Sequence, residues 1–267
     1  MKAVPVIPIA DLNDPRLLPY RELKERDLAH EHGLFIAEGE HLVRRLLASD
    51  FAVHSVFLAD RRAAEISPLV PADVPVFVAP GDVLNRAMGF KFHSGVIAAG
   101  VRPKPVSLAD LFTSDPPTIR LAVCPELATA DNLGSLIRLS AGFGADALLI
   151  GPRSHDPFNR RTVRVSMGTI FKLPVISSDD LTADLSLLRS RWGVHCIASI
   201  LDDTATPLRQ AERHDRTAIL FGNEAQGLDA ATVAACDARV TIPMKRDTDS
   251  LNVATAAGIF MYHYWSE

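Results

Sequence analysis

The sequence predicts an α/β protein of two domains, the second built on a mostly parallel sheet. Three observations carry that reading. Short apolar runs alternate with segments of helical spacing along nearly the whole chain. In the second half those runs are almost continuously apolar, as expected of strands covered on both faces. Between the halves, "RPKPVSLADLFTSDPPT" (102–118) carries four prolines and no sustained period, the signature of a junction.

In order along the first half, "RELKERDLAHEH" (21–32) reads as a leading helix. "LFIAEG" (34–39), "HSVFLA" (54–59), "VPVFVA" (74–79) and "SGVIAAGV" (94–101) read as strands. Between them "EHLVRRLLAS", "RRAAEISPLV" and "GDVLNRAMG" have helical spacing. This is a small α/β domain over 1–104, followed by a linker over 105–118. The second domain, 119–267, has candidate strands "IRLAVC" (119–124), "DALLIG" (146–151), "LPVIS" (173–177), "VHCIASI" (194–200), "TAILFG" (217–222) and "ARVTIP" (238–243). Helical segments separate most of them: "NLGSLIRLSAGFG", "RRTVRVSMGTIF", "LTADLSLLRSRW" and "AATVAACD". "LNVATAAGIFMYHY" closes the chain as a helix. In such sheets ligands sit outside the carboxyl ends of the strands, so the loops there are the place to look for function.

The chain has 267 residues, 48% hydrophobic and 22% charged, enough to bury one sizeable core or two modest ones. Its formal net charge of -4 does not announce nucleic-acid binding, so any basic patch must be local. Cys124, Cys196 and Cys236 are dispersed and form no CxxC, which argues against a disulfide framework and against a zinc site. The opening "MKAVPVIPIADLNDP" is interrupted by prolines and an early Asp, so it reads neither as a signal peptide nor as a membrane span. A cytoplasmic protein with no membrane partner is expected.

Three strand-to-loop junctions carry candidate chemistry. In "CPELATADNLGSLIRLSAGFGA" (124–145), Asn132 opens a helix, either as its N-cap or as a group aimed at a ligand, and Gly134 allows close backbone approach. Arg138, nearly two turns on, interrupts an apolar helix and is expected to be partly buried, where a guanidinium needs an anionic or bidentate partner. In "ILFGNEAQGLD" (219–229), Gly222 and Gly227 flank Asn223 and Glu224. That is a sharp loop suited to a ligand with polar edges and unsuited to a phosphate, which Glu224 would repel. In "VTIPMKRDTDSLNVATAAG" (240–258), a charged loop leads into a helix expected to begin at Ser250-Leu251-Asn252. Ser and Asp serve as caps there, leaving Asn252 as a second polar group one turn in. His30 and His32, two apart on the leading helix, splay to different faces and do not form a metal pair. His155 and His195 have no partner that the sequence can name.

In this order and spacing, the junctions closely resemble the three signature motifs of the SpoU (TrmH) family of RNA ribose 2'-O-methyltransferases, within the SPOUT superfamily. The resemblance runs from about Leu121 to Tyr264 and includes "DNLGSLIRLSAGFGA", "RRTVRVSMGTIFKLPV", "LFGNEAQGLD" and "IPMKRDTDSLNVATAAGI". More loosely, "LFIAEGEHLVRRLLAS" and "SGVIAAGV" resemble the L30e-like substrate-binding domain that many such enzymes carry. The resemblance implies a C-terminal deep trefoil knot, which chain statistics alone would never propose. It also implies a homodimer through the knotted domain and S-adenosyl-L-methionine as cofactor.

By the same resemblance, the cofactor site comprises Gly222, Asn223, Glu224 and Gly227 of the second motif, and Ile242, Pro243, Met244, Leu251 and Asn252 of the third. Adenine recognition through main-chain groups would explain why several of these are apolar or glycine. The implied catalytic residues are Asn132, Arg138, Glu224, Ser250 and Asn252. Arg138 would act as a base only if its pKa were strongly depressed, and otherwise as an electrostatic stabiliser of the developing alkoxide or a phosphate clamp. Within "GPRSHDPFNRRTVRVSMGTIFK" (151–172), Arg153, Arg160, Arg161 and Arg164 form a candidate phosphate track. The expected substrate is RNA, ribosomal RNA of the 23S type in preference to tRNA. A catalytically silent RNA-binding, ribosome-assembly protein of the same fold would show damaged motifs, and these are intact.

Overall fold

A computed structural model describes residues 6–21, 32–89, 92–223, 226–245 and 250–266. By its contacts the chain divides into two compact units. One is Met1–Lys104 together with Phe158–Phe171, and the other is Pro105–Pro157 together with Lys172–Glu267.

The first unit holds β1 (Val6–Pro8), β2 (Leu34–Glu38), β3 (Val53–Ala59), β4 (Val76–Ala79) and β5 (Val96–Val101) in the order β1-β4-β3-β5-β2. β1, β4 and β3 are parallel, and β5 is antiparallel to both β3 and β2. Helices α1 (Glu40–Leu47), α2 (Asp60–Ile66) and α3 (Gly81–Met88) connect the strands. The four strands read from the sequence are present, and β1 is an addition. Its Pro8 cannot donate to a ladder, and the strand lies at a sheet edge, where that is tolerated. The leading helix expected over 21–32 falls, from 22 to 31, outside the described residues, as does His30.

Phe158–Phe171 belongs with this unit for a visible reason. Phe158 and Phe171 lie 5.2 and 5.6 Å from the ring of Phe35, and both also meet Phe51. Phe35 in turn lies across Gly100, where a Cβ would stand 2.3 Å from the ring. Between the two phenylalanines runs α6 (Arg160–Val165), whose Arg160 and Arg164 both turn to Glu38 at the end of β2.

The second unit holds seven parallel strands in the order β10-β12-β9-β11-β6-β7-β8. They are β6 (Ile119–Cys124), β7 (Ala147–Ile150), β8 (Val175–Ser177), β9 (His195–Ser199), β10 (Thr206–Pro207), β11 (Arg216–Phe221) and β12 (Ala238–Thr241). All six strands read from the sequence are present, and β10 is too short to have been seen. The helices are α4 (Leu108–Leu111), α5 (Ala130–Gly142), α7 (Leu181–Trp192), α8 (Ala230–Ala234) and α9 (Val253–Trp265). α4 lies inside the proline-rich stretch, where Ser107 and Asp110 form a reciprocal capping box and Leu108 and Phe112 enter the core.

α5 and α9 run side by side in the same direction. Asn132 meets Asn252 at their starts, Leu139 faces Gly258, and Phe143 lies against Tyr262 near their ends. α9 is tied to the sheet at its far end, where the buried indole N–H of Trp265 donates to Thr217 Oγ1 at 2.8 Å. Thr217→Val keeps the shape and removes the acceptor, leaving a buried donor unpaired. The expected loss is about 1–3 kcal/mol of unfolding free energy, read as a lower urea midpoint at unchanged slope.

Candidate active site

β9, β11 and β12 end at one level, and their carboxyl ends open into a cavity of about 470 Å³. Its walls are Ser199 at the end of β9 and Leu201 after it, Phe221 and Gly222 at the end of β11, Ile242 and Met244 after β12, and Ser250 and Leu251 ahead of α9. Leu228 and Phe260 close it. The chain lays down β6, β7 and β8 in one direction and then returns to the other side of β6, and the cavity lies at the strand ends on that returning side.

The loop after β11 is shaped by backbone packed on backbone. A Cβ on Gly222 would lie 2.2 Å from Gly227 C and 2.5 Å from Leu228 N, so no side chain fits there. Asn223 holds the turn, its carbonyl accepting from Gly227 N at 3.0 Å and its Oδ1 from Gln226 N at 2.7 Å. Gly227 has φ 69°, a left-handed conformation that favours glycine. Asp229 then caps α8 by accepting from Thr232 N and Thr232 Oγ1. Glu224, expected in both the cofactor and the catalytic sets, lies outside the described residues.

The loop after β6 corrects two expectations. Asn132 is not the N-cap of α5. Thr129 is, accepting from Asn132 N at 3.3 Å, so Asn132 stands inside the first turn. At the other helix the roles are reversed. Asn252 is the N-cap of α9, its Oδ1 accepting from Ala254 N at 2.9 Å and Thr255 N at 3.4 Å. Ser250 and Leu251 precede the helix and line the cavity. With its oxygen held by the helix, the Asn252 amide must present its nitrogen outward. That nitrogen donates to Asn132 Oδ1 at 3.0 Å. The two asparagines thus join the first and third motifs directly.

Arg138 is a third correction. It is exposed rather than partly buried, and among the described residues its guanidinium meets no carboxylate. The loop that precedes α5 is braced by the one after β7: Leu127 N donates to Ser154 Oγ, His155 N to Leu127 O, and Arg153 pairs with Glu126 at 2.8 Å. His155 therefore has a backbone role. His195, at the opposite end of β9 from the cavity, stacks on His214 at 4.0 Å, and burial and that neighbour lower its pKa.

Of the remaining expected residues, Gly222, Asn223, Gly227, Ile242, Met244 and Leu251 line the cavity, and Pro243 is exposed and does not. Sequence reasoning missed Ser199, Leu201, Phe221, Leu228 and Phe260. The signal for the first two was available, because they stand at the carboxyl end of a parallel strand. Among the candidate arginines, Arg153 and Arg161 are exposed, whereas Arg160, with 23% side-chain exposure, pairs with Glu38 at 3.1 Å. Among the described residues, no group of three or more His, Cys, Asp or Glu is placed to hold a metal ion, and no helix is long and apolar enough to cross a membrane.

Two outcomes are expected. Gly222→Ala forces the 222–228 loop apart and weakens binding of S-adenosylmethionine, the cofactor that the resemblance implies, by more than about tenfold in calorimetric titration. Asn252→Asp keeps the capping oxygen and stays within about 0.5 kcal/mol of the wild type, whereas Asn252→Ala, which loses it, is less stable by about 1 kcal/mol or more in denaturant unfolding.

Comparison with known proteins agrees with this geometry. The sequence model of the SpoU rRNA Methylase family matches residues 120–262. An uncharacterized tRNA/rRNA methyltransferase of Mycobacterium tuberculosis is 38% identical over 262 residues, covering 95% of this chain and 90% of the relative. The 23S rRNA (guanosine-2'-O-)-methyltransferase RlmB of Acinetobacter baylyi is 33% identical over 209 residues, covering 76% of this chain and 83% of that one. Among solved structures, an AdoMet-bound rRNA methyltransferase from Sinorhizobium meliloti superposes with a TM-score of 0.83 over 97% of both chains at 23% identity, a likeness of fold. With the second and third motif loops lining one cavity and the match spanning more than half its length, the chain belongs to the SpoU rRNA methylase family.

Proposed function

We propose that this protein is an S-adenosylmethionine-dependent RNA methyltransferase that methylates a ribose 2'-hydroxyl, with 23S ribosomal RNA as the favoured substrate. The observation that carries the reading is the cavity at the carboxyl ends of β9, β11 and β12, with Ser250 of the third motif in its wall. The residues present suit the cofactor. A volume of about 470 Å³ falls within the ~300–1,000 Å³ of cofactor pockets, and the lining is mainly apolar with a few polar groups. At Gly222 the bare backbone offers main-chain donors and acceptors with no side chain in the way.

When bound, S-adenosylmethionine supplies a methyl group on a sulfonium centre whose departure leaves a neutral thioether. The chain's own task is alignment of the reactants and activation of the hydroxyl. Ile242, Leu251 and Phe221 exclude water from the cofactor side. The Asn132–Asn252 pair, with Ser250 close by in sequence, orients the ribose. Arg138 is exposed, and a guanidinium with its planar fork of N–H donors suits stabilisation of the negative charge developing on the 2'-oxygen better than service as a base. Glu224 is proposed to steady its own loop.

RNA phosphates are contacted by Arg153, Arg161 and Arg164. Arg160, the nearer and less exposed of the two arginines beside Glu38, has mainly a structural role. The first unit is read as an L30e-like substrate-binding domain, the second as a SPOUT domain with a C-terminal trefoil knot, and the protein as cytoplasmic. A homodimer forms through the face of α5 and α9, where Ile259 and Tyr262, 41% and 65% exposed, stand one turn apart. The preference for ribosomal over transfer RNA rests on the name of the RlmB relative and on the additional first unit.

The test is transfer of labelled methyl from S-adenosylmethionine to ribosomal RNA and tRNA fractions from cells lacking the protein. The expected result is alkali-resistant label in ribosomal RNA, reduced about 10²-fold or more by Arg138→Ala. Label in tRNA alone moves the substrate to tRNA. No label together with no cofactor binding defeats the enzyme reading and favours an RNA-binding protein without catalysis.

A further inference from the structure

β11 is the strand that delivers the glycine loop to the cavity, and its last two carbonyls are held from opposite sides by side chains. Leu220 O accepts from Ser199 Oγ at 2.7 Å, and Ser199 is the last residue of β9, level in register with Phe221. Phe221 O accepts from Cys124 Sγ at 3.0 Å, and Cys124 is the last residue of β6, one step beyond the Leu220–Val123 pair. A parallel ladder runs out of partners where its strands end, and a buried carbonyl left there would be costly. On the β6 side the Cys124 side chain continues the ladder for one more step, and on the β9 side Ser199 braces Leu220 O where that ladder ends.

Both groups are more than plugs. Cys124 is fully buried, and its sulfur also lies 3.5 Å from Glu126 O, in the loop that leads to Asn132. Its own carbonyl accepts from Gly151 N, in the loop after β7. Ser199 lines the cavity itself. With its proton directed to Leu220 O, its oxygen can only accept from a ligand on the cavity side. The residue that follows the clamped carbonyls is Gly222, where an added Cβ would meet the backbone of Gly227 and Leu228.

We infer that Cys124 and Ser199 are positioning residues that hold the end of β11, and with it Gly222, in the conformation that receives the cofactor, Ser199 also presenting an acceptor to it. The inference rests on the reading of the cavity as the S-adenosylmethionine site. It assigns a role to a thiol that the sequence places in neither a disulfide framework nor a zinc site. It also predicts that a hydroxyl suffices at position 124, because the function is donation of one hydrogen bond to a carbonyl.

The test compares Cys124→Ala, Cys124→Ser and Ser199→Ala with the wild type in two measurements: calorimetric titration with S-adenosylmethionine, and amide hydrogen exchange of the cofactor-free protein. The dissociation constant is expected to rise about tenfold in Ser199→Ala and three- to tenfold in Cys124→Ala, and to return to within about twofold of the wild type in Cys124→Ser. Exchange is expected to quicken over 221–228 in the two alanine variants while the other strands stay protected, a pattern that general loss of stability would not give. If Cys124→Ala does not fold, Ser199→Ala and Cys124→Ser carry the test. Wild-type affinity and wild-type exchange in Ser199→Ala, or a Cys124→Ser protein as impaired as Cys124→Ala, overturn the clamp and leave the cofactor reading standing. A wild-type protein that does not bind S-adenosylmethionine overturns that reading first, and the clamp's purpose with it.

Discussion

The approach of one stretch of backbone to another, Gly222 against Gly227 and Leu228, is the constraint from which the cavity takes its shape. It brings the turn after β11 back across the strand end and leaves main-chain groups as the lining where a side chain would otherwise stand. Everything around it accommodates that closeness. Asn223 satisfies the turn's amides from within, Asp229 starts the next helix at once, and the neighbouring strands end at the same height. The surface that results is recognisable by shape and backbone polarity and carries little charge, which fits a ligand read through its edges.

The second organising contact is much smaller. Asn132 and Asn252 are 120 residues apart in the chain and are joined by a single side-chain hydrogen bond at the starts of two parallel helices. The backbone of Asn132 is held by the Thr129 cap, and the side chain of Asn252 is itself the cap of its helix, so the Asn252 amide reaches Asn132 Oδ1 from a fixed position. The burial of α5 and α9 against the sheet is thus converted into accurate placement of two polar groups at its edge.

What the sequence made legible was periodicity and the order of the motifs. Six of the seven strands of the second unit are mainly apolar because their faces are covered, and those could be read from that alone, whereas the two-residue β10 could not. The local roles at the helix starts were less legible. Thr129 and Asn132 are both good capping residues, as are Ser250 and Asn252, and choosing between them needs the backbone path. Arg138 looked enclosed because its sequence neighbours are apolar. Those neighbours belong to other faces of the helix, and Leu136 and Ile137 are buried while Arg138 looks out. Arg160 and Arg161 are adjacent and chemically identical, yet Arg160 is half-buried beside Glu38 and Arg161 is exposed, a difference in burial set by tertiary structure.

The aromatic cluster of Phe35, Phe51, Phe158 and Phe171 bears on how this chain can be divided. The polypeptide passes between its two units three times, after Lys104, after Pro157 and after Phe171. The first unit is therefore not a detachable N-terminal module. A fragment ending at Lys104 would lack two of the four rings and both arginine partners of Glu38, while a fragment beginning at the proline-rich stretch would carry those rings with nothing to cover them. The linear boundary that the sequence suggests and the physical boundary of the folded units are different objects, and cutting at the first would injure both halves.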